Sequence, residues 1–259
     1  ARRPDRLDIA AVRELAYRHA LSIPFENLDA FLGSRIELSS EAVQDKLVRR
    51  QRGGWCFEQN QLFGDALRAL GIPVTDLAAR VLWQRPRDFR APLTHRALRI
   101  TVDGAPWLVD TGFGVVTLTG ALAFESGVEQ ETTHERHRLT LDGDRWLLEA
   151  LLGEQWERLY AFDLHPQLPE DYEAVNFQLV HDPRSPFTVG PRLARALPDG
   201  RLTLQGNEFT RRRLGGRVER RELDSVDALL RVMADDFGLP VDDVPGLEAA
   251  LAARVMRPR

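Results

Sequence analysis

The chain has 259 residues, a net charge of −4 from 39 acidic and 35 basic groups, and 43% apolar against 29% charged side chains. It is long enough for one or two cored domains and too apolar to be disordered, and its slight acidic excess speaks against an electrostatic footprint for nucleic acid or an anionic membrane. A single cysteine, Cys56, excludes internal disulfides and cysteine-rich zinc sites. The polar opening and the lack of any long apolar run lead to the expectation of a cytoplasmic protein.

Between Asp8 and Leu21, Val12, Leu15, Ala16 and His19 recur at helical spacing behind Asp8 as N-cap, which predicts an amphipathic helix. Ser39 and Ser40 open a second. A third is predicted to begin near Cys56, with Leu62, Phe63, Ala66, Leu67 and Leu70 as its buried stripe and Gly71 and Pro73 as its stop. The period then changes to two, with Leu77, Ala79, Val81 and Trp83 alternating with their neighbours. Asp103-Gly104 and Asp142-Gly143 read as hairpin turns, so residues 80 to 165 are expected to form an antiparallel sheet or small barrel. A short helix over 169–179, strands over 187–223 and helices from Ser225 and Asp242 complete the pattern.

The chemistry concentrates in Arg52-Gly53-Gly54-Trp55-Cys56-Phe57-Glu58-Gln59-Asn60. Two glycines precede the only thiol where a helix should start, and the positive end of a helix favours a thiolate and can hold an oxyanion. The glycines are expected to let the backbone approach a ligand. Cys56 lies two helical turns before Phe63 and shares its inward stripe, facing a cleft. A buried cysteine acting as a small hydrophobe is the alternative. The only lysine, Lys46, sits in a polar helical stretch, so Schiff-base chemistry is not expected.

A partner base follows from turn chemistry. With Asp103-Gly104 as a two-residue turn, Val102 pairs with Ala105, and Asp110 falls opposite Ala97, two residues from His95 on the same face. His95 and Asp110 then become diagonal neighbours that can project towards the helix of Cys56, while Leu98, Ile100 and Val102 face a core. A three-residue turn would put them on opposite faces. A thiol, an imidazole and an orienting carboxylate make the triad of nucleophilic catalysis. A satisfied core histidine and a strand-ending aspartate remain the structural alternative.

The segment Arg52–Asn60 resembles the nucleophile motif of the arylamine N-acetyltransferases. Ile23-Pro24-Phe25-Glu26-Asn27-Leu28 is similar to a second signature of that family. Val109-Asp110-Thr111-Gly112-Phe113-Gly114 resembles its aspartate motif, with Thr111 where valine or alanine is more usual. The resemblance is strong from His19 to Gly120, and it weakens through Asp171–Asn176 and Pro186-Phe187. It implies an α+β protein with a cysteine-protease-like core: a helical domain (1–79) carrying the nucleophile, a β-barrel domain (80–181) carrying His95 and Asp110, and an α/β lid (182–259). It further implies transfer from acetyl-CoA to an arylamine, arylhydrazine or N-hydroxyarylamine by a ping-pong route through acetyl-Cys56. His95 would be the base, Asp110 its orienting acid, Phe25, Val81 and Phe113 the acceptor pocket, and Glu26 with Arg52 a supporting ion pair. No metal, nucleic acid or membrane partner is implied. An amide synthase of the same family, a cysteine hydrolase or transglutaminase-like enzyme, and a non-catalytic binding or redox-sensing protein are the competing readings.

Three other signals carry less. His134-Glu135-Arg136-His137 lacks the second histidine spacing of a zincin, since Arg138 stands there. Gly112-Phe113-Gly114 lacks the third glycine of a dinucleotide fingerprint and reads as a turn near the acyl site. Arg211, Arg212, Arg213, Arg217, Arg220 and Arg221 are expected to decorate an exposed hairpin, with Glu208, Glu219 and Glu222 to neutralise several and contact to CoA phosphates as the alternative.

Overall fold

Asp8 accepts a hydrogen bond from the Ala11 N–H and starts the first helix, α1 (Ile9–Ser22), as its sequence predicts. The computed structural model describes residues 7–256. A two-residue strand, β1 (Phe25–Glu26), leads into α2 (Leu28–Leu32). Next comes α3 (Ser40–Gln44), which Ser39 caps and which continues as a π-turn over Asp45–Arg49. The helix α4 (Cys56–Ala69) begins at the thiol. Its buried face is Cys56, Gln59, Asn60, Phe63 and Leu67, whereas Leu62 and Leu70 are half-buried and Ala66 is exposed. The expected stripe is thus partly wrong: polar Gln59 and Asn60 take inward positions that hydrophobicity alone passes over, and they rotate the buried face away from Ala66.

Eight antiparallel strands follow: β2 (Val74–Val81), β3 (Leu93–Val102), β4 (Ala105–Val109), β5 (Leu122–Ala123), β6 (Glu129–Glu131), β7 (Arg136–Asp142), β8 (Arg145–Leu152) and β9 (Gln155–Pro166). Their spatial order is β5-β4-β3-β2-β9-β8-β7-β6. The sheet curls until its two edges nearly meet, where the Gln130 side-chain amide of β6 accepts from Ala123 N at 2.7 Å and donates to Ala123 O at 2.9 Å. This makes a nearly closed barrel, in which the strands bury apolar side chains on the inside without exposing a free edge.

The β3–β4 hairpin has the predicted register, Val102 pairing with Ala105 and Leu98 with Val109. Asp103 and Gly104 both take positive φ, 51° and 78°, as a two-residue turn of the primed type requires. The second hairpin is displaced by one residue from expectation. Asp142 pairs with Arg145, so the turn is Gly143-Asp144, with Gly143 supplying the positive φ.

The two faces of β3 serve different layers. Leu98, Ile100 and Val102 pack with Val12, Ala16, Phe63 and Leu67, so this face meets α1 and α4. Ala97, on the same face as His95, belongs instead with Leu77, Ala79, Leu108 and Tyr160 in the barrel core. His95 lies on the barrel side of the sheet and meets the helix of Cys56 at its first turn.

The remaining chain forms α5 (Pro169–His181) and α6 (Pro186–Val189), the latter where a strand was expected. It continues through β10 (Arg192–Leu197), β11 (Gly200–Gln205), β12 (Glu208–Arg213), β13 (Val218–Glu222) and α7 (Val226–Asp235), capped by Ser225. A 3₁₀ turn over Val241–Asp243 and α8 (Leu247–Arg254) complete it. The sheet order is β1-β10-β11-β12-β13, with Phe25 opposite Ala194. Its core of Leu202, Leu204, Phe209, Met233, Phe237 and Leu251 also takes in Leu28 and Phe31 of α2. Among the described residues no helix is long and apolar enough to cross a membrane.

Candidate active site

Cys56 is the first residue of α4, where the unpaired N–H groups and the dipole of the helix favour negative charge. That end is fixed by Glu58, which accepts the Trp55 N–H at 3.0 Å and receives a hydrogen bond from Lys46 Nζ at 2.8 Å. Burial pushes the Glu58 carboxyl above the ordinary range, against the pull of Lys46. The two glycines before the thiol approach the chain itself rather than an expected ligand. A Cβ on Gly53 would stand 2.4 Å from Pro24 O, and one on Gly54 would stand 2.8 Å from a Glu58 carboxylate oxygen.

The sulfur hydrogen-bonds to the carbonyl oxygen of Thr94 at 3.8 Å and stands beside the His95 imidazole, whose charged form it favours. The His95 ring turns Nε2 to Asp110 Oδ2 at 2.6 Å, leaving Nδ1 for the sulfur. Asp110 is fully buried, and its other oxygen accepts from the Asn60 amide and the Gly112 N–H, both at 2.9 Å. Burial would depress the His95 pKa, yet the Asp110 charge and the hydrogen bonds to Asp110 and Cys56 push it up to about 10. Burial opposes ionisation of Asp110 as well, but the imidazolium and the bonds from Asn60 and Gly112 hold its carboxyl below the usual carboxylate range. The three side chains thus stand together, with Asp110 balancing the charge of a protonated His95 ring beside the sulfur.

The predicted surroundings fall beside this group. Phe113 meets the His95 ring edge to face at 5.3 Å, and the Phe25 ring packs onto Gly114, 3.3 Å from where a Cβ would sit. Both phenylalanines are half-buried. Val81 enters through its pairing with Tyr160, whose ring stands 5.4 Å from Phe113. Trp83 and Phe113 both pack on the barrel core. The pair Arg52–Glu26 is almost fully buried at 2.7 Å, and Glu26 also accepts the Leu28 N–H. Lys46 is not on a solvated helix face, because its side chain is 12% exposed and its ammonium contacts Asp29 at 2.6 Å as well as Glu58. Burial opposes both cations, but the surrounding carboxylates keep Lys46 and Arg52 charged.

Two residues that touch the group carry no role in the sequence reading. Asn60 is four residues after Cys56 on the same face of α4, and that spacing was a usable signal. Tyr160 is fully buried, 4.9 Å ring to ring from His95. Its hydroxyl has no hydrogen bond of good geometry, and burial with the Asp110 charge pushes its pKa well above that of a free phenol. Nothing in its local sequence distinguishes it from other strand aromatics.

Gly112 lies in the loop against the Cys56 backbone, and the turn falls later than expected, over Val115-Val116, opened by Gly114 under the Phe25 ring. Within the arginine-rich hairpin, Asp199 holds Arg211 and Arg213, and Glu219 holds Arg217. No group of three or more metal-ligating side chains occurs among the described residues.

A cysteine opening a helix at the rim of an antiparallel barrel, with imidazole and carboxylate supplied by one hairpin, is an arrangement suited to acyl transfer through sulfur. A sequence model described as N-acetyltransferase matches residues 8–245. The chain is 40% identical over 248 residues to the arylamine N-acetyltransferase / N-hydroxyarylamine O-acetyltransferase of Salmonella typhimurium, covering 95% of this chain and 88% of that one. The Mycobacterium smegmatis arylamine N-acetyltransferase structure superimposes with a TM-score of 0.94 at 37% identity, covering 100% of this chain and 96% of the other. The Mycobacterium marinum enzyme in complex with CoA does so with a TM-score of 0.91 at 37% identity, over 95% and 92% of the two chains. The chain belongs to the arylamine N-acetyltransferase family.

Proposed function

We propose that the acetyl-CoA-dependent N-acetylation of arylamines by this chain runs in two steps through a thioester on Cys56. In the first, the Cys56 thiolate attacks the acetyl carbonyl of the donor, the C–S bond to CoA breaks, and the departing thiolate takes the proton held on His95. In the second, the arylamine nitrogen attacks the acetyl-cysteine, His95 accepts the proton lost from nitrogen, and the Cys56 sulfur leaves as thiolate. Asp110 orients the ring and balances its positive charge in both steps. The N-terminal turn of α4 supports the oxyanion of each tetrahedral adduct.

Phe25, Val81 and Phe113 form the acceptor wall on this reading, flat enough for an aromatic amine and apolar enough to keep water from the thioester. Arylhydrazines and N-hydroxyarylamines present the same ring with a nucleophilic heteroatom and belong to the same acceptor class. Arg52 and Glu26 support the segment that carries Phe25 without touching the reacting atoms. The chain is read as segments 1–79, 80–181 and 182–259; the barrel has a core distinct from that of the last sheet, which β1, Leu28 and Phe31 tie to the first segment. No nucleic acid or membrane takes part, and because CoA thioesters are intracellular metabolites the work is placed in the cytoplasm.

The observation that supports this reading is the 2.6 Å bond between His95 and buried Asp110 beside the sulfur of Cys56, the first residue of α4. Incubation with acetyl-CoA is expected to add one acetyl group to Cys56 by peptide mass spectrometry, and para-anisidine is expected to remove it as the acetanilide. Retention of transfer by Cys56→Ala would overturn the proposal. Release of the acetyl group to water at the same rate with and without amine would favour a hydrolase.

A further inference from the structure

The His134–His137 segment, unsuited to zinc, has a different occupation. Glu135 and Arg201 form a two-pronged ion pair, Nε to Oε1 at 2.7 Å and a terminal nitrogen to Oε2 at 2.6 Å. Glu135 lies between β6 and β7 of the barrel, and Arg201 lies on β11 of the last sheet. The same guanidinium donates to the Thr117 carbonyl at 2.8 Å, and Arg201 is 4% exposed. The neighbouring His134 makes a parallel bridge. Its Nε2 lies 2.7 Å from the Leu197 carbonyl, which can only accept, so that nitrogen carries the proton and Nδ1 is left for the Thr119 hydroxyl at 3.0 Å.

Both bridges therefore seize one loop, the stretch between β4 and β5 that starts with Asp110 and carries Phe113. Within it the Thr117 hydroxyl receives the Gly114 N–H at 2.8 Å and donates to Gly114 O at 3.0 Å. A short chain of hydrogen bonds thus runs from Arg201 through Thr117 to Gly114, next to Phe113 on one side and under the Phe25 ring on the other. The other end of the loop is fixed separately, because Gly112 is pinned by Asp110 and by the Cys56 backbone.

We infer that Glu135 and Arg201, with His134, are positioning residues for the amine acceptor: they clamp the last sheet to the Phe113 loop and set the width of the aromatic wall, while leaving the thiol, imidazole and carboxylate alone. This rests on the acetyl-cysteine reading above, and it assigns to a buried cross-layer ion pair a function in specificity rather than stability alone. A bidentate guanidinium–carboxylate pair suits that task because it fixes distance and plane together.

The test separates the two half-reactions in Glu135→Gln and Arg201→Met. The double variant, which leaves no charge buried alone, carries the same measurement if a single one fails to fold. The expected result is a rise of about 5–20-fold in KM for para-anisidine, with acetylation of Cys56 by acetyl-CoA within about twofold of the parent chain and partial rescue by Arg201→Lys. Equal slowing of both half-reactions would overturn the inference, since that is what general loosening of the fold does. An unchanged KM in folded variants would overturn it as well. Failure of the parent chain to acquire the acetyl group on Cys56 would instead strike the proposed function, so the two failures are told apart.

Discussion

The Cα of Gly112 lies against the backbone of Cys56, so closely that a Cβ there would stand 2.7 Å from the Cys56 Cα and 2.9 Å from the Asn60 amide nitrogen. The loop that follows Asp110 is thereby seated directly on the helix that begins at Cys56. Gly112→Ala is expected to lower stability by about 1–3 kcal/mol and kcat by roughly 10²-fold. Gly104→Ala offers the comparison. That site has open space but a φ of 78°, so it is expected to cost about 1–2 kcal/mol in urea unfolding while kcat stays within about twofold.

Asp110→Asn keeps the size of the side chain and removes the charge that holds His95 protonated. Transfer is expected to fall by about 10⁴-fold in kcat, the scale of losing the orienting carboxylate in a comparable triad. The ring resonances of His95 followed by NMR across pH are expected to titrate far below the value of about 10 held in the parent. Unchanged titration would show that Asp110 does not set the charge of the ring.

Stability is expected to pass through a maximum near neutral pH, because buried histidines shift in opposite directions. His95 rises from 6.5 to about 10 on folding, so its contribution is complete below 6.5 and is lost as pH climbs through 10. His19 and His137 are pushed down by burial to about 4. The unfolded chain takes up their protons first, and stability falls as pH drops from 6.5 towards 4. Thermal melts across pH check both limbs. His137→Phe should flatten the acid limb, since Nε2 of that ring is buried without a partner, and Asp110→Asn should flatten the alkaline one.

Arg52→Met leaves Glu26 buried beside Lys46 alone, and is expected to cost about 3–5 kcal/mol in chemical unfolding. Arg52→Lys restores the charge without the planar fork and should recover part of it. A loss no larger than that of an exposed pair, under about 1 kcal/mol, would mean that the network reorganises around Lys46.

The site was legible in the sequence where local geometry propagates a long way. A two-residue turn at Asp103-Gly104 settles which residues of β3 and β4 share a face, and that alone brings His95 and Asp110 together. At Asp142-Gly143-Asp144 the same rule slips by one, because two acidic residues flank one glycine and only the strand partners decide which of them closes the ladder. Lys46 was misread because a helical stretch rich in charges looks solvated until its carboxylate partners arrive from Glu26, Asp29 and Glu58. Tyr160 and the Glu135–Arg201 pair were out of reach, since Tyr160 meets His95 across the intervening β2 and Arg201 comes from the last sheet, neither of which a local period encodes. The two-residue strand β1 is too short to leave a period at all.

Strand β1 nonetheless ties the order of events during synthesis. Phe25 emerges from the ribosome early, but its partner Ala194 belongs to the last third of the chain. The pairing of β1, and with it the seat of Phe25, therefore waits for a segment made long after Cys56, His95 and Asp110. On the proposed reading, the wall that favours an amine over water is complete only when β10 has joined β1.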